Sequence, residues 1–231
     1  MQTLNWLKRN WLQSAILVIP FIVIAAYWDS FPDEVVVQWN DSGPSKWANK
    51  FPGLLVCPFV SIGLAIIFGW IPTLDPRLSR YPEWSERTLG FIRLASTTLV
   101  SAGSMLIAAE ALGHHFNVRL LSLNVMLLTF LVLGNYIGTF RPNYFVGIRT
   151  PWTLENDEVW RATHRNIGPI LVLGSLGFLV LQCFLAPKHV AAGFVAFVAA
   201  AFVWAFLYSY LVFRSLKSVS SLRPGNPSGS N

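Results

Sequence analysis

Residues 190–213 read "VAAGFVAFVAAAFVWAFLYSYLVF", a run without one charged side chain. An α-helix of about 20 apolar residues crosses the hydrocarbon core of a bilayer, which is about 30 Å thick, so this run predicts a transmembrane helix. Comparable apolar runs occur at residues 11–28, 53–72, 89–112, 120–140 and 167–186. The sequence therefore predicts an all-α integral membrane protein with six transmembrane helices.

The composition of the chain agrees with a lipid environment. The 231 residues are 54% hydrophobic and only 12% charged, with a mean hydropathy of +0.51, and this is more apolar material than one soluble core requires. The formal net charge is +6. Anionic lipid of the inner leaflet is the expected partner for that charge, and we expect no direct binding to nucleic acid.

The distribution of Lys and Arg predicts the orientation, because loops rich in these residues stay on the cytoplasmic side. If both termini lie inside, Arg93 falls within a span, and the outer segments hold only Lys46, Lys50, Arg119 and Lys188 of the 17 cations. The remaining cations occupy inner segments. We therefore predict a multi-pass membrane protein with N-in, C-in topology.

Two connections are longer than the others. Residues 29–52 form a long outer loop after the first span, and residues 141–166 form a long inner loop after the fourth. Because these two spans run in opposite directions, the spacing predicts a three-plus-three repeat of inverted topology. We expect an N-terminal two-helix region, a second helical region and a disordered cytoplasmic tail, at residues 1–72, 73–213 and 214–231.

The inner loop contains the most polar stretch of the chain, "RPNYFVGIRTPWTLENDEVWRATHR" at residues 141–165. Pro142 cannot continue the fourth helix, and Gly147 allows a positive φ at no steric cost. The piece "YFVGI" at residues 144–148, which follows Pro142 and contains Gly147, is therefore predicted to be extended.

A short helix is predicted at the end of the inner loop. Thr153 or Asn156 is suited to cap a helix over residues 157–165, whose aromatic face would lie at the membrane interface. Gly168-Pro169 is expected to separate this interfacial helix from the fifth span.

The stretch from Pro142 to Arg165 resembles the characteristic segment of the SdpI family of bacterial membrane proteins, which includes immunity proteins against a secreted toxic peptide. Some members are understood to hold a transcriptional repressor at the inner face of the membrane. The resemblance implies partner-binding candidates in the inner loop: Asn143, Gly147, Arg149, Thr150, Pro151, Trp152, Thr153, Trp160, His164 and Arg165.

The outer loop carries a second resemblance. Its sequence "FPDEVVVQWNDSGPSKWANKFPG" at residues 31–53 is similar to the N-terminal domain that often precedes the SdpI segment, although Gln38 stands where His is common. Together the two resemblances imply a protein of the bacterial inner membrane that protects the cell from an extracellular toxic peptide. The implied toxin-binding candidates are Pro32, Gln38, Trp39, Asn40, Gly43 and Trp47.

The length of the outer loop also favours a folded recognition element, because residues 29–52 exceed what joining two helices requires. Trp39 and Trp47 are amphipathic anchors. They lie among side chains of both charges, namely Asp29, Asp33, Glu34, Asp41, Lys46 and Lys50. The alternative is that the two tryptophans only belong to the interfacial aromatic belt.

Two other functions stay open at this point. A small-solute permease would need polar groups near the membrane midplane, for which the candidates are Asn124, Asn135 and Gln182. A membrane-embedded lipid-modifying enzyme would use inner-loop groups such as Asp157 and His164. We expect a protein that is not an enzyme and uses no cofactor or metal.

Small residues within the spans have a structural interpretation. Gly134 and Gly138 have the spacing that lets two helices approach closely, which predicts packing within the helical bundle. Cys57 and Cys183 lie inside predicted spans. We expect both to act as small apolar side chains, since no disulfide or metal-binding spacing surrounds them.

Overall fold

A computed structural model describes residues 11–40, 43–114 and 116–221 of the chain. Contacts between residues divide the chain into two compact units, Met1–Val125 and Met126–Asn231. This division differs from the predicted boundary after residue 72, which falls inside a helix.

The first unit consists of helices and one β-hairpin. Its elements in chain order are α1 (Trp11–Ala26), β1 (Glu34–Asn40), β2 (Gly43–Asn49), α2 (Lys50–Leu74) and α3 (Pro82–Ala111), with short 3-10 turns at Trp28–Ser30 and Leu78–Arg80. The next helix, α4 (Val118–Ile137), begins in the first unit and ends in the second.

The second unit continues from α4 through an irregular segment, residues 138–150. Three helices follow: α5 (Pro151–Glu155), α6 (Asp157–Leu181) and α7 (Pro187–Ser221). α5 is a single turn that leads directly into α6.

The helices support a multi-pass membrane protein. Among the described residues, five helices are long and apolar enough to cross a bilayer, namely α2, α3, α4, α6 and α7. α1 is apolar but spans 16 described residues, and residues 1–10 lie outside the described part. Membrane localisation is thus confirmed. The sixth span, the N-in, C-in orientation and the inverted repeat stay predictions.

The expectation of an all-α fold was incomplete, because the outer loop folds into an antiparallel hairpin. Glu34 pairs with Asn49 at the open end of the hairpin and Asn40 pairs with Gly43 at the turn. The β-branched run at residues 35–37 favours a strand. Gly43 has φ +117°, a conformation that favours glycine. The register shifts on both sides of Gln38, which marks a bulge.

The predicted break at Gly168-Pro169 is wrong. α6 runs without interruption from Asp157 to Leu181 with Pro169 inside it, so no separate interfacial helix covers residues 157–165. Proline removes one backbone hydrogen bond. Here α6 packs closely on a neighbouring helix: a Cβ on Gly168 would lie 2.8 Å from the Gly134 carbonyl oxygen. The packing predicted for Gly134 is confirmed by the same contact.

The tail also begins later than predicted. α7 continues to Ser221, so residues 214–221 are helical rather than disordered. No Gly or Pro interrupts this segment before Pro224. Residues 222–231, the rest of the predicted tail, lie outside the described residues.

Candidate functional site

Asn143 organises the chain immediately after α4. Its Oδ1 accepts hydrogen bonds from the backbone N–H groups of Phe145 (2.9 Å) and Val146 (2.6 Å). Its Nδ2 donates to the carbonyl oxygens of Arg141 and Val146, each at 2.9 Å. The side chain is fully buried. The Asn143 side chain therefore forms the hydrogen bonds that secondary structure would otherwise supply to this irregular backbone. Residues 144–148 were predicted to be extended, but the structure shows a series of bends there.

Trp160 and His164 form a stacked pair one helical turn apart on α6. Their ring centroids are 4.2 Å apart, and both side chains are fully buried. The Trp160 indole N–H donates to the Phe140 carbonyl oxygen at 2.8 Å. The pair thus joins α6 to the segment that leaves α4.

The hydrogen bonds of His164 define its tautomer. The Ile148 backbone N–H donates to His164 Nε2 at 2.9 Å, so this nitrogen carries no proton. The proton of the neutral ring is then on Nδ1, which lies 2.8 Å from the Trp160 carbonyl oxygen. Both ring nitrogens are engaged by backbone groups, and His164 acts as a bridge between the loop and α6.

Gly147 fits against this stacked pair. Its φ is +116°, and a Cβ there would lie 2.5 Å from His164 Nε2 and 3.2 Å from the Trp160 ring. A side chain would therefore be strained by the backbone conformation and would also displace the imidazole. The predicted positive φ is confirmed.

Thr150 and Thr153 close the loop through a capping box around α5. The Thr153 N–H donates to Thr150 Oγ1 at 3.2 Å, and the Thr150 N–H donates to Thr153 Oγ1 at 2.9 Å. Thr153 Oγ1 also donates to the Ile148 carbonyl oxygen at 2.9 Å. Pro151 occupies the first turn, where a missing N–H costs little. Of the two predicted caps, Asn156 rather than Thr153 caps α6, by accepting from the N–H groups of Glu158 and Val159.

α5 and its cap residue Thr150 are held on α7 by three contacts. The hydroxyl of Thr150 lies 3.0 Å from that of Ser209. The Trp152 ring packs against Phe206 and Tyr210, with centroid distances of 5.0 Å to each. The loop is consequently held by both α6 and α7.

The inner-loop candidates thus separate into two groups. Buried or half-buried residues shape the loop: Asn143, Thr150, Trp152, Thr153, Trp160 and His164. The exposed candidates are Gly147, Arg149, Pro151 and Arg165. Arg149 Nη1 donates to the Tyr144 carbonyl oxygen at 2.6 Å. Arg161 is also exposed on this segment, as are Tyr144 and Phe145, which sequence reasoning did not single out.

The hairpin of the first unit is docked on helices. Val35 is buried in an apolar cluster with Ile24, Phe31, Leu54 and Ala108. A Cβ on Gly53 would overlap the Val35 Cγ2 methyl group, so Gly at this position lets the strand approach α2. The backbone also closes, because the Lys50 N–H donates to the Asp33 carbonyl oxygen at 2.7 Å.

The opposite side of the hairpin is open. Trp47 is 52% exposed and pairs with Val36 across the strands. The other toxin-binding candidates are also accessible in part: Pro32, Gln38 and Asn40 are exposed, and Trp39 and Gly43 are half-buried. Lys50 is engaged by the Trp28 ring, with its Nζ 4.8 Å from the ring centroid. Asp41 lies outside the described residues.

A buried polar set in the first unit was missed. Gln13 Nε2 donates to Thr97 Oγ1 at 2.9 Å, and the hydroxyls of Ser61 and Ser101 lie 3.1 Å apart. The sequence feature that could have indicated this set is the recurrence of small residues on one face of α3, at positions 97, 101, 104 and 108. These groups bind α1, α2 and α3 together within the unit.

We also searched the described residues for metal ligands and for paired cysteines. Within residues 11–40, 43–114 and 116–221, no group of three or more His, Cys, Asp or Glu side chains is placed to hold a metal ion. Cys57 and Cys183 are free thiols.

Comparison with known proteins relates each of the two loops to a different family model. Residues 139–210 match the SdpI/YfhL protein family, and residues 15–62 match a domain of unknown function, DUF1648. The chain is 23% identical over 216 residues to the immunity protein SdpI of Bacillus subtilis (strain 168), which covers 91% of this chain and 98% of that protein. No solved structure matches the chain. The resemblance predicted from the sequence is therefore confirmed: this chain carries an SdpI/YfhL segment preceded by a DUF1648 domain.

Proposed function

We propose that this membrane protein confers immunity to a secreted antimicrobial peptide, and that the peptide contacts the hairpin at residues 34–49. The observation that carries the proposal is the similarity to an immunity protein along almost the whole of both chains. The relative is named for immunity rather than for a reaction, which also favours a protein that is not an enzyme.

The hairpin supports a role in contacting the peptide because its two faces differ. Val35 fixes one face to the helices, while Trp47 and Gln38 are exposed on the rest of the hairpin. An exposed Trp supplies a large contact area with little conformational entropy to lose. A membrane-active peptide with apolar and polar sides would find both kinds of contact there.

Protection can be measured in a sensitive host that is challenged with a panel of purified membrane-active peptides. Cells that express the protein should grow at a concentration of at least one peptide that kills cells carrying the empty vector. Equal killing of both strains by every peptide, at confirmed levels of membrane-inserted protein, would contradict the proposal.

Trp47→Leu tests the contact surface. We expect the protective concentration to fall about tenfold, as for an aromatic anchor worth more than about 1 kcal/mol. Trp70→Leu is the matched control, because Trp70 is 65% exposed but lies on α2 within a span. Equal protection by both variants would show that the exposed hairpin tryptophan does not contact the peptide.

We further propose that the inner loop binds a cytoplasmic repressor when a peptide is sensed. Exposed Arg149, Arg161 and Arg165 support this role, together with the exposed rings of Tyr144 and Phe145. Arg is enriched where proteins recognise carboxylates, since its planar guanidinium binds them in a bidentate manner. The expected partner surface is acidic.

A charge-loss variant separates signalling from protection. With Arg149, Arg161 and Arg165 all replaced by Gln, protection should persist while the transcriptional response to the peptide, measured by RNA sequencing, is lost. The control removes the same charge from Arg80, Arg87 and Arg214, which lie in other predicted inner segments. An unchanged response in the first variant, or equal loss in both, would contradict a docking role for the loop.

The two alternatives predict different results. A permease would move solute in proteoliposomes, so protection without flux favours immunity. A lipid-modifying enzyme that used His164 as its base would need a free ring nitrogen, whereas both nitrogens are bound to backbone groups of Ile148 and Trp160. That geometry disfavours the enzymatic alternative.

A further inference from the structure

One exposed side of α6 changes from charged to apolar along the helix. Its exposed residues follow one another at spacings of three or four, which places them on one side of the helix. These residues form the α6 stripe: Arg161, Arg165, Pro169, Leu173, Leu176 and Val180. After Arg165 no charged side chain occurs in the chain before Lys188. The stripe therefore has a cationic part followed by an apolar part.

The change occurs at the edge of the predicted hydrocarbon layer. The apolar run begins at Ile167, so a rise of 1.5 Å per residue places Arg165 about 3 Å and Arg161 about 9 Å outside it. The headgroup region of a bilayer is about 5–7 Å thick on each side. Long helical side chains incline towards the helix N-terminus, which here is away from the hydrocarbon. The space between the two guanidinium groups is thus at the level of the lipid phosphates.

Aromatic side chains of α7 place the membrane edge at the same level. Trp204 Nε1 donates to Asn166 Oδ1 at 2.8 Å, so Trp204 lies beside the residue that follows Arg165. The Trp204 ring also packs on that of Tyr208, with a centroid distance of 5.9 Å. Trp and Tyr are enriched where the hydrocarbon layer meets the headgroups. Two neighbouring helices therefore indicate the same depth for Arg165.

Both guanidinium groups are accessible to a ligand. Arg161 and Arg165 are exposed, and among the side chains that the structure describes, neither guanidinium has a hydrogen-bond or ion-pair partner. Asp157 and Glu158 are exposed about one turn further from the membrane. Water and salt screen these two carboxylates there. The charge that a lipid phosphate meets on the stripe is consequently positive.

The arrangement of the two arginines suits an anionic headgroup. Residues four apart on a helix have Cβ atoms about 5–6 Å from each other, so both side chains can reach one phosphate between them. Guanidinium groups bind phosphate oxygens in a bidentate manner. A zwitterionic lipid would also bring its ammonium group, which lies outside its phosphate, towards Arg161. The same phosphate in an anionic lipid meets no such repulsion.

We propose that the α6 stripe binds an anionic phospholipid. The phosphate lies between Arg161 and Arg165, and an acyl chain follows Pro169, Leu173, Leu176 and Val180. This binding goes beyond the proposed immunity and does not depend on it, since the hairpin takes no part. A lipid in this position would compete with an acidic protein partner for the same two arginines.

Native mass spectrometry of the purified full-length protein in detergent micelles measures this binding. The probe is palmitoyl-oleoyl phosphatidylglycerol. We expect the first lipid to bind at least about tenfold tighter than palmitoyl-oleoyl phosphatidylcholine, which has the same acyl chains. Glycerol 3-phosphate, which has no acyl chain, should not displace the lipid at equal concentration. Equal binding of the choline lipid would overturn the preference for an anion, and displacement by glycerol 3-phosphate would overturn the assignment to a lipid.

Variants of the stripe locate the binding. Arg161→Gln and Arg165→Gln should each weaken the affinity for phosphatidylglycerol about fivefold, and the double variant more than about tenfold. Arg87→Gln is the matched control. Arg87 is exposed and lies two residues before an apolar run, as Arg165 does, but no Lys or Arg stands three or four residues from it. We expect a change below about twofold for this control.

Folding of each variant is checked by circular dichroism and by the elution volume of the detergent complex. If the double variant does not fold, the two single variants decide the question, and replacement of both arginines by Lys should restore most of the affinity because the charge is kept. Unchanged affinity in both single variants, or weakening by Arg87→Gln as large as that by Arg165→Gln, would overturn the proposed site.

Discussion

Gly147→Ala tests whether the inner loop is held by the contact of Gly147 with His164 and Trp160. The substitution adds one methyl group at φ +116°, 2.5 Å from His164 Nε2 and 3.2 Å from the Trp160 ring. The imidazole must move, and its hydrogen bond with the Ile148 N–H is then lost. The effect should be large for so small a change.

The magnitude has two parts. A side chain in this backbone region costs about 1–3 kcal/mol. Leaving the buried Ile148 N–H without its acceptor costs about 1–3 kcal/mol more. Gly43→Ala isolates the first part, because Gly43 has φ +117° and a Cβ there would meet nothing within 4 Å. We expect Gly147→Ala to destabilise the protein by about 1–3 kcal/mol more than Gly43→Ala does.

The two variants can be compared by equilibrium unfolding in mixed micelles and by hydrogen exchange of the peptide that contains Ile148. Gly147→Ala should lose the protection of this peptide, whereas Gly43→Ala should keep it. Equal destabilisation by the two variants, with Ile148 still protected in both, would refute the account of His164 as the bridge between the loop and α6.

Two further variants test the packing of the second unit. Gly134→Ala should destabilise the protein by about 1–3 kcal/mol, since its Cβ would lie 2.9 Å from the Gly168 carbonyl oxygen; Gly63→Ala, where a Cβ meets nothing within 4 Å, should change the midpoint of unfolding little. Thr153→Val removes the hydroxyl of the capping box and should cost about 1–2 kcal/mol, while Thr153→Ser keeps the hydroxyl and should retain most of the stability in the same unfolding measurement.

The membrane-spanning helices could be predicted from the sequence because a bilayer requires a similar length and an apolar composition of every span. The cap at Asn156 was also predictable, as one of two candidates, since capping depends on a few neighbouring backbone groups. The β-branched residues of the hairpin indicated a strand but not its position. The hairpin is positioned by the contact of Val35 with Gly53, which is remote in sequence. The break predicted at Gly168-Pro169 was wrong for the same reason. The rule that proline ends a helix considers only neighbouring residues, whereas Gly168 packs against Gly134 of another helix.

The candidate site was predictable as a list of residues but not as a set of roles. The family resemblance pointed to Trp160 and His164 as partner-binding residues, yet their hydrogen bonds go to Phe140 and Ile148 of the same chain. The sequence of a motif is the same whether its polar side chains face a partner or the interior of the protein. Hydrogen-bond distances and side-chain exposure distinguish these cases, and Arg149 and Arg165 are the exposed candidates that carry a charge.

The continuity of α6 has a mechanical consequence. At 1.5 Å per residue, its 25 residues form a rod of about 37 Å. Trp160 and His164 lie near one end, and the other end reaches across the apolar layer. Pro169 removes one backbone hydrogen bond near the middle of this helix, so α6 bends most easily there. A tilt of the part that precedes Pro169 would move His164 and, through its hydrogen bond with the Ile148 N–H, the backbone that presents Arg149.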